Sequence, residues 1–313
     1  MLKRCLAATL LLCCLACRPA WAAPAQTMKI GILPASDALA LHVAQEEGLF
    51  AGHGLDIELV PFQSALEQAA ALRGGALDGW FSDMIAVLVM HESGVPQTFI
   101  ATMCYSGPGR RFFGIATAPG SPISSIADLR GKKVAISQAT IIDYMLSSIL
   151  RSLGLADDYA ERVDIRQISV RLQLLSAGKV DAALLPEPLL SLMEARGSRV
   201  IADNTGFEEP LAVMALKTEK ADPKTVSAFQ AALAEAMGRI NADPERYRDV
   251  MLAKKLLPKE AAASYTMLAY PPAHTPTPPP SAAEVERVAR WMFDNKLVRR
   301  MPDAAKVIYD GGN

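Results

Sequence analysis

Ala71-Leu-Arg-Gly-Gly-Ala-Leu-Asp78-Gly-Trp-Phe-Ser-Asp83 and Leu174-Leu-Ser-Ala-Gly-Lys-Val-Asp181-Ala-Ala-Leu-Leu-Pro-Glu187 follow one pattern. Each closes a helix at glycine, passes an apolar residue, an aspartate and a small residue, and runs through a short strand to an acidic residue. Two lobes of similar build would produce such a pair. Around the first copy, Met28 to Leu33 reads as a buried strand. A helix follows from about Ala38, with Ser36 able to cap it and Gly48 able to stop it. Leu55 to Phe62 is a second strand, and Ser64 with Glu67 forms a capping box for the next helix. Asp78 to Ser82 is a third strand, and Asp83 caps a helix that runs to Gly94. This strand–helix rhythm indicates an α/β layer with a mostly parallel sheet.

Around the second copy the rhythm repeats. Phe112 to Thr117, Lys133 to Ser137, Val163 to Ile168 and Val180 to Leu185 read as strands. A helix with Ile141, Met145, Ile149 and Leu153 on one stripe stops at Gly154, and another begins near Val170. Pro210 to Lys217 reads as a strand crossing back to the first unit. Asp222-Pro223 opens a long helix with Val226, Phe229, Leu233, Met237 and Ile240 facing inward. Asp243-Pro244 and Pro258-Lys-Glu start short helices. Six prolines between Pro271 and Pro280 impose an extended loop. Ser281 with Glu284 is a second capping box, and opens a last helix that buries Val285, Val288 and Trp291 or Met292.

The N-terminus bears on the compartment. Lys3-Arg4, an uncharged apolar run from Cys5 to Ala16, and Ala20-Trp21-Ala22 have the order of a secretory signal peptide over residues 1–22. Leu15-Ala16-Cys17 also resembles the end of a lipoprotein cleavage site, which leaves open a lipid anchor on Cys17. Four of the five cysteines lie in this leader, so the mature chain keeps only Cys104 and has no internal disulfide. The formal net charge of −1 becomes −4 without the leader's three basic residues, which gives no electrostatic case for nucleic acid. The remaining 291 residues suffice for two domains, and none of their segments is long and apolar enough to span a bilayer.

Lys29-Ile-Gly-Ile-Leu, Ala44-Gln-Glu-Glu-Gly-Leu-Phe50, Gly54-Leu-Asp-Ile-Glu-Leu-Val60, Leu72-Arg-Gly-Gly-Ala-Leu-Asp78, Asp128-Leu-Arg-Gly-Lys-Lys-Val-Ala135 and Pro186-Glu-Pro188 occur in this order. Over residues 28–210 the chain resembles the solute-binding proteins of the nitrate/taurine/sulfonate class of ABC transporters, which includes the thiamine-pyrimidine binders. The resemblance implies a type II periplasmic-binding fold: two α/β lobes joined by two hinge crossovers, with a ligand enclosed between them. The expected division is 23–112 with 211–313 for lobe 1 and 113–210 for lobe 2. The implied protein is a periplasmic monomer without cofactor or bound metal, which captures a small organic molecule and delivers it to an inner-membrane ABC permease.

In sheets of this kind ligands sit at strand carboxyl ends, near helix N-termini with free N–H groups. That rule points to Ser36 and Asp37, Ser82 and Asp83, Gln138 and Thr140, and Glu187. Ser36, Asp83 and Thr140 are equally suited to capping helices. Binders of sulfonate or nitrate are expected to carry glycine, serine or threonine around Gln138, whereas Ser137-Gln-Ala-Thr-Ile lacks the glycine. Asp37, Asp83 and Glu187 give the cleft a negative lining that suits a neutral or partly cationic ligand, such as a pyrimidine-like heterocycle. Arg110-Arg111 stand against this: Arg111 could clamp a carboxylate or sulfonate, or the pair could simply steady a hinge. The alternatives are a metal carrier, a receptor subunit for a sensor, or an enzyme on the same fold. His42, His53, His91 and His274 show no paired ligand spacing. No G-x-S-x-G, H-E-x-x-H or P-loop pattern occurs, and Cys104 sits in an apolar stretch as a core residue would.

Overall fold

The computed structural model describes residues 27–267, 270 and 277–311. The leader, Cys17, His274 and residues 271–276 of the proline-rich loop lie outside the described residues.

The first sheet takes β1 (Met28–Ile32), β2 (Ile57–Pro61), β3 (Gly79–Ser82), β4 (Gln97–Tyr105) and the late strand β10 (Pro210–Lys217); the second takes β5 (Phe113–Thr117), β6 (Lys133–Ile136), β7 (Glu161–Asp164), β8 (Ala182–Pro186) and β9 (Val200–Asp203). Their orders, β2-β1-β3-β10-β4 and β7-β6-β8-β5-β9, are the same arrangement built twice. Each sheet is more mixed than expected. β1, β2 and β3 are parallel, but β10 runs antiparallel to both of its neighbours. β5 likewise runs against β8 and β9. In each lobe the antiparallel strand is the one that arrives by crossing from the other lobe.

The twin motif has a shared structural role. Asp78 accepts the Lys29 amide through its carboxylate at 2.9 Å, and Asp181 accepts the Lys133 amide in the same way at 2.8 Å. Each aspartate thus ties the foot of its strand to the first residues of the sheet's central parallel strand. Gly79 follows Asp78 because β10 passes too close for a side chain: a Cβ there would lie 2.5 Å from Leu216 Cδ2 and 2.7 Å from the Ala215 carbonyl oxygen. Gly79→Ala is expected to cost about 2–3 kcal/mol in a urea titration; an unchanged midpoint would show that β10 has room to move.

The helices cover these sheets as their stripes require. In chain order they are α1 (Leu39–Glu46), α2 (Leu49–Gly52), α3 (Ala65–Arg73), α4 (Met84–Glu92), α5 (Ile141–Ser152), α6 (Ile168–Ser176), α7 (Leu189–Ala195), α8 (Pro223–Ala242), α9 (Arg248–Ala253) and α10 (Ala282–Asp294). Asp222 caps α8 through the Lys224 and Thr225 amides, and the five stripe residues from Val226 to Ile240 are all buried. Phe229 of α8 meets Phe50 of α2, ring centroids 5.1 Å apart. Ser281 and Glu284 form the expected capping box, and α10 buries both Trp291 and Met292. Trp291 stands edge-on to Tyr144 of α5 at 5.3 Å, so the last helix touches the second lobe. Two expectations need correcting. Leu153 is 51% exposed, because α5 ends at Ser152 and Gly154, at φ +70°, turns the chain away. Ser36 caps nothing: it sits in a short 3-10 turn before α1.

The crossing segments, between β4 and β5 and between β9 and β10, run side by side and are clasped twice. Asn204, fully buried, accepts the amides of Phe112 and Phe113, both at 2.9 Å. The Ser106 hydroxyl accepts the Glu209 amide at 2.9 Å, and the Ser106 amide donates to the Glu209 carbonyl at 2.9 Å.

Candidate ligand site between the lobes

The carboxyl ends of β1 and β3 in the first lobe face those of β6 and β8 in the second. The gap holds a cavity of about 90 Å³. Ser36, Asp37, Ser82 and Asp83 line it from the first lobe, and Thr140 and Glu187 from the second; Phe81, Phe112 and Phe113 supply much of its apolar wall. Six of the eight residues expected from the sequence therefore share one cleft between the lobes.

Gln138 and Arg111 do not line it. The Gln138 side chain is exposed, and its backbone amide donates to Asp164 at 2.9 Å. Arg111 lies on the outer side of Glu187. It donates to Glu187 at 2.8 Å and to both oxygens of Glu194 at 3.1 and 2.7 Å. These carboxylates hold its guanidinium firmly in the charged form, against the pull of partial burial. Its charge is thus spent within the protein.

Backbone amides that could cradle an anion after β6 are also largely taken. Ala139, at φ +58°, keeps the left-handed conformation that favours glycine. Its amide donates to Asp143 at 3.2 Å, and the Ile142 amide donates to the Thr140 hydroxyl at 3.2 Å. Ser36, instead of capping, donates its hydroxyl to the Glu187 carbonyl at 3.2 Å, a direct bond between the lobes.

Electrostatically the cavity is divided. Burial pushes the carboxyl groups of Asp37 and Asp83 up to about 6. For Asp83 this outweighs the opposing pull of the Ala86, Ile141 and Ile85 amides. Ala86, at 2.8 Å, is the expected α4 cap; Ile141 opens α5 in the other lobe. The native chain keeps the Asp83 proton to about pH 6, whereas the unfolded chain releases it near about pH 4. Between these values the native state binds more protons, so this group's contribution to stability falls as pH rises, and the cost is complete above pH 6. Asn keeps a capping oxygen without the charge. Asp83→Asn is therefore expected to gain on wild type by roughly 2 kcal/mol between about pH 4 and 7; urea titrations across that range that show a constant difference would contradict it.

Two further lining residues were not singled out from the sequence. Arg171 is 1% exposed. It donates through Nη1 to the Ile165 carbonyl at 2.8 Å, while its Nε has no partner among the described residues. Burial lowers its pKa to about 10. The legible signal was register: the buried residues of α6 are Arg171 and Leu175, four apart, so an arginine occupies an inward position. Arg166 also lines the cavity but is paired with Asp164 at 2.8 Å. The Ser82 hydroxyl, 3% exposed, has no hydrogen-bond partner among the described residues. No histidine or cysteine is among the described lining residues.

Of the histidines, His42 is buried, and burial lowers its pKa to about 4; His53 meets Glu235 at 3.2 Å, and His91 accepts the Gln97 amide at 3.1 Å. Among the described residues no three His, Cys, Asp or Glu side chains gather where they could hold a metal. Cys104 is a buried free thiol, pushed well up by burial.

The NMT1/THI5-like family profile matches residues 35–247, more than half of the chain. This chain belongs to the NMT1/THI5-like family. It is 28% identical over 242 residues to a Haemophilus influenzae protein named for thiamine biosynthesis, covering 75% of this chain and 74% of that one. A Brucella abortus protein, named only as a binding protein, is 26% identical over 215 residues; the match spans 66% of this chain and 65% of the relative. Among solved structures, the alkanesulfonate-binding protein of Xanthomonas axonopodis, bound to MOPS, superposes with TM-score 0.75 at 20% identity over 92% of this chain and 99% of that one. The fold of this NMT1/THI5-like protein is thus the periplasmic-binding fold, with two α/β lobes joined by two crossovers. None of the described helices is long and apolar enough to cross a membrane.

Proposed function

We propose that this protein is an exported, monomeric solute-binding protein. It closes lobe 1 (23–112 with 211–313) and lobe 2 (113–210) on a small organic molecule and presents it to an ABC permease. The observation that carries this reading is the cavity at facing strand ends, to which both lobes contribute buried polar and charged groups. Ser36, Asp37, Ser82, Asp83, Thr140 and Glu187 are its ligand-facing groups, and closure bends the chain near Phe112 and Pro210. The family, and a fold neighbour named for binding alkanesulfonates, support the same reading.

The test is a thermal-shift screen of the exported chain after stripping bound solute, with pyrimidines, sulfonates, nitrate, amino acids and divalent metals. A solute at about 100 times its dissociation constant is expected to add about 2.7 kcal/mol of stability. A shift with a metal alone, or with nothing, would overturn the reading in favour of a metal carrier or a receptor subunit.

A further inference from the structure

Of the five charged residues on the cavity wall, Glu187, Arg166 and Asp83 are paired or held within the protein, and Asp37 and Arg171 are not. Glu187 is paired with Arg111 and Arg166 with Asp164. Among the described residues, neither the Asp37 carboxylate on the first lobe nor the Arg171 guanidinium on the second has an ion-pair partner, although both line the same cavity. Asp83, also on the first lobe, is held by amides and faces no cation within ion-pair distance. A buried guanidinium with an unsatisfied Nε is costly unless something completes it. Asp164 lowers that cost only from a distance, since it is bonded to Arg166 and to the Gln138 amide. The Gln138, Ala139 and Ile142 amides after β6 are already engaged, since Asp164, Asp143 and Thr140 accept from them.

Resting on the solute-binding reading, we propose that Arg171 reads an oxyanion on the solute while Asp37 and Asp83 face its hydrogen-bond-donating end. The cleft then selects a zwitterionic small molecule that spans the two lobes. Such a ligand neutralises the half-buried Asp37 on one side and the buried Arg171 on the other, so its contacts favour the closed state over the open one. A bare anion leaves Asp37 uncompensated, and a bare cation leaves Arg171 so; the cleft discriminates against both. A guanidinium accepts carboxylate, sulfonate or phosphonate oxygens alike, so the choice among these belongs to the experiment.

The probes are β-alanine, taurine and aminoethylphosphonate, which share a two-carbon amine and differ in the oxyanion, with ethanolamine carrying a hydroxyl in its place. Affinities are measured calorimetrically for wild type, Arg171→Met and Arg171→Lys. At least one zwitterion is expected to bind wild type more tightly than ethanolamine, and Arg171→Met is expected to lose that preference by about a hundredfold. Arg171→Lys keeps the positive charge and part of the preference, and it serves as the test if the methionine variant fails to fold. An oxyanion preference that survives removal of Arg171 would overturn the proposal. So would tight binding of ethanolamine or an uncharged pyrimidine in place of the zwitterions, but the solute-binding reading would then stand. No binding by any probe, together with an empty thermal-shift screen, would overturn both.

Discussion

Asn204→Leu is expected to lower the unfolding free energy by about 2–4 kcal/mol. The reason lies in what Asn204 holds. Its side-chain oxygen accepts the Phe112 and Phe113 amides, one from each side of the point where the chain enters the second sheet. Leucine has a similar volume but no acceptor, so two buried N–H groups lose their partner, at about 1–3 kcal/mol each. The loss is partly offset because the Asn204 Nδ2 is itself without a partner and would be removed. Urea titration of the two proteins measures the difference. A cost below about 1 kcal/mol would mean that water reaches these amides and that the crossover is not a dry, fixed clasp.

The second large effect concerns Glu187. Glu187→Ala removes a carboxylate only 5% exposed at its side chain, which binds Arg111 and accepts the Ser191 amide and hydroxyl at 3.2 and 2.9 Å. Breaking such a pair from one side costs about 3 kcal/mol. Arg111 also bonds Glu194, but that carboxylate is 39% exposed. A double-mutant cycle therefore separates the two contacts. The Arg111–Glu187 coupling is expected at about 2 kcal/mol, and the Arg111–Glu194 coupling below about 1 kcal/mol. Equal couplings would show that the buried pair is as well hydrated as the surface one.

Local chemistry made much of this fold legible. Asp222-Pro223 and Ser281 with Glu284 announce their helices because caps act within a few residues, and both cap as expected. The twin Asp78 and Asp181 were visible as a repeated pattern, and their backbone clasp explains why an aspartate stands at each position. Strand polarity was less legible, since β10 and β5 return from the opposite lobe and sequence pattern does not show direction. Ser36 looked like a cap because serine before an apolar stripe usually is one. Its hydroxyl is drawn away to the Glu187 carbonyl, a partner 151 residues distant that only the closed tertiary structure supplies. The sequence leaves Arg111 open between a ligand clamp and a hinge support for the same reason: Glu187 and Glu194, which hold it, are remote in sequence. Arg171 is not legible from strand ends, because it reaches the cavity from inside a helix.

Native mass spectrometry of the exported chain incubated with a small-molecule extract of its host, before and after unfolding and dialysis, tests the solute cleft most directly. The expected result is one small-molecule adduct per chain, released on unfolding and regained on refolding with extract. Arg171→Met and Asp83→Ala are expected to weaken it strongly, while Gly79→Ala, which lies away from the cavity, leaves it intact once folded. A chain that remains without adduct at every solute concentration, or whose adduct is indifferent to both cavity variants, would contradict the assignment of the inter-lobe cavity as the ligand site.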